Sequence, residues 1–263
     1  MTVAAEQSQA PATGAIRRTE SVMGTVVSFD LRPGTLPSNL AYLALAEARA
    51  SLHRADAVFS TWKAQSPISR LRRGEICLED SPKELSHVLA QCEVARDASH
   101  GWFDPWAMPG GLDPTGLVKG WAAQRALRII EMTGGSAAMV NAGGDVAVSG
   151  QPQPGRTWRI GIRDPWDARR VVAVVAAVGA IATSGTYERG RHVLDPRTGL
   201  ASSPVASATV TGPDLGLADA LATGVAAAGE PSFDWFDDLD GYEALIVRHD
   251  GSVRRTPDFP LAP

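Results

Sequence analysis

Two stretches of the sequence hold side chains whose types and spacing could support chemistry. The first begins with a short polar group that follows an apolar run and comprises Thr183, Ser184 and Gly185. His192 and Asp195 come soon after it. Because a buried strand that ends in polar residues commonly leads into a binding loop, we expect these residues to form a turn that lines a cleft. Asp195 has two interpretations: it orients His192, or it caps the turn that it begins.

The second stretch is a predicted helix over residues 215–229, in which Asp219 and Thr223 share one face. Their i, i+4 spacing places a carboxylate and a hydroxyl side by side among Ala, Leu and Gly. One interpretation is structural: the helix dipole favours Asp219 near the N-terminus, and Thr223 bonds within its own turn. The other interpretation is that both oxygens bind a hard cation.

Lys119 and Trp62 also have two interpretations each. Lys119 lies in the first turn of a helix predicted over residues 117–133. It is either a solvated surface lysine or a partner for an anion at the helix N-terminus, where backbone amides also point. Trp62 lies in a loop predicted over residues 59–71, where it either fills the core or stacks on a flat ligand.

The elements that must position these groups include both helices and strands. Helical spacing predicts further helices over residues 38–60, with a Ser or Asn cap, and 81–99, with a capping box. Apolar runs and alternation predict strands over residues 18–31, 158–162, 171–181 and 205–211, and a terminal hairpin of 243–247 with 252–254. The first strand is interrupted at Met23 and Gly24, where the glycine marks a bulge or a close backbone approach. Because helices and strands do not alternate strictly, the sequence favours an α+β fold.

Two segments lack the pattern of a regular element. Residues 102–116 contain too many Pro and Gly for a helix or strand, and such loops line sites or cap cores. Residues 141–145 form a glycine-rich turn between two apolar runs, without the spacing of a dinucleotide-binding or phosphate-binding fingerprint.

Length and composition limit the class of protein. A chain of 263 residues that is 44% hydrophobic and 21% charged can bury a large core in one domain or two lobes. Its net charge of -4 gives no indication of a nucleic-acid partner, and no apolar run reaches the roughly 18 residues of a membrane span. Cys77 and Cys92 lack metal-ligand spacing. We expect a polar tail over residues 1–17 rather than a signal peptide, a single domain over 18–263 and a cytoplasmic location.

Several kinds of active site have no support in the sequence. A GxSxG elbow and an HExxH motif are missing, and the five histidines are scattered, which argues against a multi-histidine zinc site. What remains is a set of oxygen ligands, hydroxyl groups, a lysine, a histidine and loop aromatics. That set suits a cation-bridged pyrophosphate beside a stacked ring system.

An ordered series of motifs covers about residues 20 to 250. The motifs are MGT at Met23, FSTW with SPISRL, WFDP at Trp102, DPTGLVKGWA at Asp113, NAGGD at Asn141, ATSGTYER at Ala182, HVLDPRTG at His192 and ADALATG at Ala218. In this respect the chain resembles the ApbE family of FAD:protein FMN transferases. The resemblance implies a two-lobed α+β fold with FAD bound between the lobes.

The resemblance also implies a role for individual residues. Mg²⁺ would be held by the side chains of Asp219 and Thr223, the backbone near Ala222 and the carbonyl of Gly116. His192 would lie beside the reacting phosphate, as a base or as an orienting group. The residues implied around FAD are Met23, Trp62, Trp102, Phe103, Asp104, Asp113, Lys119 and Val193, together with Thr183, Ser184 and Gly185.

The implied reaction is phosphoryl transfer to a protein. A Thr or Ser hydroxyl on an acceptor flavoprotein would attack the FMN phosphorus of FAD and release AMP. Two alternatives stay open: an Mg²⁺-dependent FAD pyrophosphatase that yields FMN and AMP, and a protein that binds FAD without chemistry. The acceptor and the oligomeric state do not follow from the sequence.

Overall fold

An antiparallel sheet of eight strands forms the centre of the computed structural model, which describes residues 14–135, 137–185 and 193–263. The strands in chain order are β1 (Ile16–Val22), β2 (Thr25–Arg32), β3 (Ala137–Ala142), β4 (Asp145–Gly150), β5 (Trp158–Arg163), β6 (Val171–Ala177), β7 (Gly179–Gly185), β8 (Leu194–Asp195), β9 (Leu200–Ala201), β10 (Ser207–Gly212), β11 (Glu243–Val247) and β12 (Val253–Arg255). The sheet order is β1-β2-β3-β4-β7-β10-β11-β12, while β5 pairs with β6 and β8 pairs with β9. The division of the chain at residue 18 stays a prediction.

Helices cover one face of this sheet. They are α1 (Ser38–Phe59), α2 (Pro67–Arg72), α3 (Lys83–Ala98), α4 (Thr115–Glu131) and α5 (Leu215–Ala228), followed by a 3₁₀ helix at Glu230–Asp238. Among the described helices, none combines the length and the apolar character needed to cross a bilayer. Helices packed on an antiparallel sheet confirm the α+β prediction.

Both faces of the central strands are buried, because β5 and β6 cover the face opposite the helices. On β3, Ala138 and Val140 pack into the core shared with the helices, whereas Ala137 and Met139 pack into the core shared with β5 and β6. Successive side chains of a strand point to opposite faces, so a strand covered on both sides is apolar throughout. The polar residues in these strands therefore need specific partners.

The interruption predicted at Met23 and Gly24 is present, but it is a turn and not a bulge. Both residues have positive φ angles, 53° and 68°, and they form a two-residue turn between β1 and β2. Two consecutive positive φ angles define the type I′ turn that fits the twist of a hairpin. The predicted single strand is therefore a hairpin.

The strand predicted over residues 171–181 is also two strands. It breaks at Val178, so that β6 pairs with β5 while β7 joins the large sheet between β4 and β10. Gly179 has a φ of +96°, and a β-carbon there would lie 2.7 Å from the carbonyl oxygen of Gly212. Glycine is therefore required where the chain passes from one sheet to the other.

The N-terminal caps of the helices differ from the predictions more than the positions of the helices do. Pro37 and Pro82 occupy the N-cap positions of α1 and α3, without side-chain cap bonds, so the predicted Ser/Asn cap and the capping box are wrong. The short helix α2 begins inside the predicted loop over residues 59–71 and ends one residue beyond it. The Ser66 hydroxyl caps α2 by accepting a bond from the Ser69 amide at 3.2 Å. The terminal hairpin of β11 and β12 is confirmed.

Candidate functional site

A group of polar residues lies where α4 and α5 cross the central strands β4 and β7. We call this group the polar cluster, and it consists of Lys119, Asp145, Ser184, Asp219 and Thr223. Helix α4 contributes the first residue, β4 the second, β7 the third and α5 the last two. The cluster brings together Ser184 from the first predicted stretch, the predicted helix pair and the predicted lysine, and the backbone amide of Thr183 adjoins it.

Asp145 has a partner for each of its carboxylate oxygens. Its side chain is fully buried, and Oδ2 lies 2.6 Å from Nζ of Lys119. The amide of Thr183 donates to Oδ1 at 3.2 Å. The Lys119 side chain is 23% exposed. Lys119 is therefore not a solvated surface lysine, because its ammonium group is bound to a carboxylate inside the protein.

The turn predicted at residues 183–185 is wrong, because these residues end strand β7. Ala182 packs towards the helices, so alternation places Ser184 on the same side and the Thr183 side chain on the other. The Thr183 hydroxyl accordingly lies 2.9 Å from that of Thr209 on β10, its register partner. Gly185 pairs with Ser207 and is buried. Thr183 thus contributes its amide, rather than its hydroxyl, to the polar cluster.

Thr223 bonds to the sheet. Its hydroxyl oxygen lies 3.3 Å from that of Ser184, which joins α5 to the end of β7. The interpretation in which Thr223 bonds within its own turn is therefore not the arrangement that the structure shows. Ala222, the neighbouring residue on α5, is fully buried.

Asp219 joins α5 to α4. It is only 3% exposed, and its Oδ2 accepts a hydrogen bond from the Gly120 amide at 3.0 Å. In an α-helix that amide is the regular partner of the Gly116 carbonyl. A carbonyl oxygen has two lone pairs, so the Gly116 oxygen has acceptor capacity for a further group.

Gly116 packs closely against its neighbours, with little room for a side chain. A β-carbon there would lie 3.2 Å from the Phe103 ring and 3.5 Å from Oγ1 of Thr223. Phe103 is buried, and its amide donates to Oγ of Ser99 at 3.0 Å. The glycine thus brings a backbone carbonyl, a hydroxyl and an aromatic ring into one small region.

The carboxylates of the loop over residues 102–114 hold their own turns. Oδ1 of Asp104 accepts the Trp106 amide at 2.9 Å, and Oδ1 of Asp113 accepts the Thr115 amide at 3.0 Å. These bonds fix the loop just before α4 begins. The structure confirms that residues 102–114 contain neither helix nor strand, whereas the last two residues of the predicted segment, Thr115 and Gly116, begin α4.

Arg197 connects this loop to the turn between β8 and β9. Its guanidinium carbon lies 3.5 Å from the ring centre of Trp102, which is a cation–π contact. Its Nε also donates to Oδ1 of Asp195 at 3.1 Å. The hydrogen bond from the Arg197 side chain lowers the pKa of Asp195. Because Asp195 also accepts the Arg197 amide at 2.9 Å, it caps its own turn.

The other predicted residues lie outside the polar cluster or outside the described ranges. Trp62 is 94% exposed on the loop after α1, so it does not fill the core. Met23 occupies the β1–β2 turn, and Val193 is buried just before β8. Within the described ranges, no hydrogen bond or ring contact joins Trp62 or Met23 to the cluster. His192 falls in residues 186–192, which lie outside the described part of the chain.

Asp145 is the residue that sequence reasoning missed. It follows Gly143 and Gly144 in the glycine-rich turn and begins a strand that is buried on both faces. A carboxylate at the start of such a strand must be paired, and this requirement is the signal that could have identified it. Its partner could not be read from the sequence, because α4 and β4 meet only in the folded chain.

The oxygen atoms of the cluster suit a hard cation that takes only a few of its ligands from the protein. Among the described residues, no three His, Cys, Asp or Glu side chains gather as a metal site. A cation here would have the Asp219 carboxylate, the Thr223 hydroxyl and the Gly116 carbonyl. Mg²⁺ suits such a set, since it commonly takes one or two carboxylates and completes its shell with water and substrate phosphates.

The chain is thus an α+β protein that carries an oxygen-rich cluster at the central strands of an antiparallel sheet. It can be compared with known proteins of that class. The model of the ApbE family matches residues 23–110 and 106–246. The chain therefore belongs to the ApbE family, as the motifs in its sequence implied.

Similar sequences carry one functional name. The FAD:protein FMN transferase of Rhodobacter capsulatus is 36% identical over 158 residues, which are 56% of this chain and 30% of that protein. The enzyme of the same name from Vibrio cholerae is 34% identical over 130 residues, which are 45% of this chain and 39% of that protein. The chain thus matches well under half of the length of these relatives.

Solved structures share the fold over nearly the whole chain. The ApbE protein of Thermotoga maritima has a TM-score of 0.79 at 24% identity and covers 93% of this chain and 97% of its own. The apo form of the flavinyl transferase ApbE of Pseudomonas stutzeri has a TM-score of 0.78 at 22% identity and covers 92% and 94%. At these identities the likeness establishes the fold.

Proposed function

We propose that this protein is an Mg²⁺-dependent FAD:protein FMN transferase that moves FMN from FAD to a Thr or Ser hydroxyl of an acceptor flavoprotein. The observation that carries the proposal is the polar cluster, which gathers an ammonium group, hydroxyls and two carboxylates beside an aromatic ring. The names of the related proteins support the same reaction. A cytoplasmic location and an acceptor in that compartment belong to the proposal as well.

The charges of the cluster support a requirement for a cation. Counted by formal charge, its two carboxylates, Asp145 and Asp219, and its one ammonium group, Lys119, sum to a net charge of -1. A diphosphate is also negative, so the protein groups alone repel the substrate. A divalent cation reverses the sign of the cluster and makes the site attractive to the diphosphate.

The residues that would hold Mg²⁺ are Asp219 and Thr223 through their side chains, Gly116 through its carbonyl and Ala222 through its backbone. When bound, the ion neutralises charge on the diphosphate and on the departing AMP. Asp219 is well placed for this role because its bond to the Gly120 amide fixes its orientation. Thr223 is fixed in the same way by Ser184.

The reaction exchanges one phosphorus–oxygen bond for another. The acceptor hydroxyl oxygen forms a bond to the FMN phosphorus, and the bond from that phosphorus to the AMP oxygen breaks. The hydroxyl proton goes to a base, for which His192 is our candidate, since an imidazole can accept a proton near neutral pH. The Lys119 ammonium, held by Asp145, adds positive charge near the reacting phosphate.

The proposed flavin site is lined mainly by residues of the loops. We place FAD between the two lobes expected for the family, beside Phe103 and the Arg197–Trp102 contact. Arg197 covers one face of the Trp102 ring, so a flavin or adenine ring would stack on the other face or take the place of the guanidinium. Met23, Trp62, Asp104, Asp113 and Val193 stay in the proposed lining.

One experiment distinguishes the proposed reaction from its alternatives. The protein is incubated with FAD and Mg²⁺, with and without an acceptor peptide that carries a target Thr, and with EDTA as the metal-free control. Mass-spectrometric detection of FMN attached to the peptide, with AMP released, supports the transferase. Free FMN and AMP without peptide would indicate a pyrophosphatase. Bound but unchanged FAD would indicate a flavin carrier and contradict the proposal.

A further inference from the structure

We propose that Asp145 is a positioning residue for Lys119, which it holds beside the end of β7 so that the ammonium charge acts from one fixed point. This inference deepens the proposed function and rests on it. Asp145 itself does not touch the substrate. It acts through Lys119, whose Nζ lies 2.6 Å from Oδ2.

The carboxylate is itself held rigidly. Its Oδ1 accepts the Thr183 amide at 3.2 Å, which fixes it to β7. Its backbone follows a tight turn in which Gly143 and Gly144 have φ angles of +65° and +116°, and Oδ1 of Asn141 accepts the Gly144 amide at 2.9 Å. Fully buried, with Oδ1 hydrogen-bonded to β7 and Oδ2 in an ion pair with Lys119, Asp145 is a fixed partner rather than a mobile counter-ion.

A lysine needs such an acceptor if its charge is to be placed accurately. Its side chain is long and flexible, and ordering it costs conformational entropy. On α4, Lys119 is bound through its side chain to Asp145, and the next residue, Gly120, is bound through its amide to Asp219. Two carboxylates from different elements therefore hold this turn of α4 between them, on the side where the proposed cation site lies.

The alternative is that Asp145 only stabilises the fold, as a buried carboxylate with two partners can. The two roles differ in what happens after Lys119 has been removed. If Asp145 only positions Lys119, its substitution has no further effect on kcat once Lys119 has been removed. If Asp145 stabilises the fold, its substitution lowers kcat to the same extent in either background. The dependence of one substitution on the other therefore decides between them.

The test is a double-mutant cycle on FMN transfer to the acceptor peptide. Asp145→Asn keeps the shape and an acceptor for the Thr183 amide but removes the charge that binds the ammonium. We expect kcat to fall by about tenfold or more, since small displacements of a charged group cost that much in catalysis. The KM for FAD should change less than about threefold. In a Lys119→Met background, Asp145→Asn should reduce kcat by less than about twofold further.

FAD affinity, measured by quenching of flavin fluorescence without Mg²⁺, gives a readout that does not depend on turnover. Removing a negative charge from the cluster should leave the affinity of Asp145→Asn equal to or tighter than that of the wild type, because the diphosphate is negative. A purely structural defect would weaken FAD binding and lower kcat together. That result would overturn the inference.

Asp30 provides a matched control. It is a strand carboxylate that is only 7% exposed, and it pairs with Arg32 at 2.8 Å and Arg17 at 3.0 Å. It lies on β2 between Phe29 and Leu31, which pack towards the helices, so its side chain faces the opposite side. Asp30→Asn should leave kcat within about twofold of the wild type.

Lys119→Arg keeps the inference testable if Asp145→Asn does not fold. It retains the charge and can still pair with Asp145, but it displaces the charge. Its kcat should be closer to that of Lys119→Met than to that of the wild type. Wild-type kcat in Lys119→Arg, or equal losses from Asp145→Asn in both Lys119 backgrounds, would overturn the inference. A wild-type protein that transfers no FMN would instead refute the proposed function.

Discussion

The amide nitrogen of Gly120 on α4 lies 3.0 Å from Oδ2 of Asp219 on α5. The residue proposed as a cation ligand therefore also joins two helices. This double role determines which substitution tests the ligand. Removing the whole side chain would leave a buried amide without its acceptor, which costs roughly 1–3 kcal/mol. Loss of activity in such a variant would then have two explanations.

Asp219→Asn separates them. The amide oxygen of Asn can still accept the Gly120 bond, while the charge that attracts a cation is lost. We expect turnover in Mg²⁺ to fall by about a hundredfold or more, with the melting temperature within about 3 °C of the wild type. The measurements are an Mg²⁺ titration of FMN transfer to the acceptor peptide and a thermal scan. An unchanged Mg²⁺ response would refute the assignment of Asp219 as a ligand.

Gly120→Ala should destabilise the fold by moving α4 away from α5. A β-carbon at residue 120 would lie 2.3 Å from the carbonyl oxygen of Leu215 and 2.9 Å from Cβ of Asp219. Alanine gains about 1 kcal/mol in helix propensity over glycine, but the clash with backbone costs more, about 3 kcal/mol. We expect a net loss of about 2 kcal/mol, or roughly 4–8 °C in melting temperature.

Glu131→Ala at the exposed end of α4 is the control for Gly120→Ala, and it should stay within about 0.5 kcal/mol of the wild type. Urea unfolding measures both variants. A Gly120→Ala variant as stable as the wild type would mean that the two helices are less closely packed than the structure shows.

The helices were predictable because each carries its own periodic pattern. The ends of α1 and α3 at Phe59 and Ala98 lie within a residue or two of the predicted ends. The break at Val178 was harder to predict, since Val and Ala continue on both sides of it and Gly179 alone marks the change of sheet. Met23 likewise has no sequence preference for a positive φ, so the hairpin it forms lacked the usual Asn-Gly signal.

The candidate site was predictable only where its residues are close in sequence. Asp219 and Thr223 share a helix face, and their spacing alone places them together. The pair of Lys119 and Asp145 depends on how α4 packs on β4, which no local pattern encodes. The side on which the Thr183 hydroxyl lies would have followed from strand alternation, had the strand been extended to Gly185.

The two cysteines should differ in reactivity because their surroundings differ. Cys77 is exposed, whereas Cys92 is fully buried in the core between α3 and its neighbours. Burial raises the pKa of the Cys92 thiol to about 12, so it stays protonated at pH 8, and the thiolate is the reactive form. Iodoacetamide should therefore add one group to the native chain, at Cys77, and a second only after denaturation. Peptide mass spectrometry that found both sites modified at similar rates in the native protein would contradict this.

Thr223→Val should weaken the response to Mg²⁺, and Thr209→Val is its matched control. Both substitutions keep the side-chain shape and remove one hydroxyl from a pair, the first with Ser184 at 3.3 Å and the second with Thr183 at 2.9 Å. Each should cost about 1 kcal/mol of stability. Only Thr223 offers its oxygen on the helix side of the sheet, beside Gly116 and Asp219.

We therefore expect Thr223→Val to raise the Mg²⁺ concentration for half-maximal turnover by about tenfold, which corresponds to about 1.4 kcal/mol of binding free energy. Thr209→Val should leave that concentration unchanged, because the sheet separates its hydroxyl from the polar cluster. The comparison is made by titrating Mg²⁺ at saturating FAD. If both variants shifted the titration equally, the effect would come from general loosening of β7, and Thr223 would have no role as a ligand.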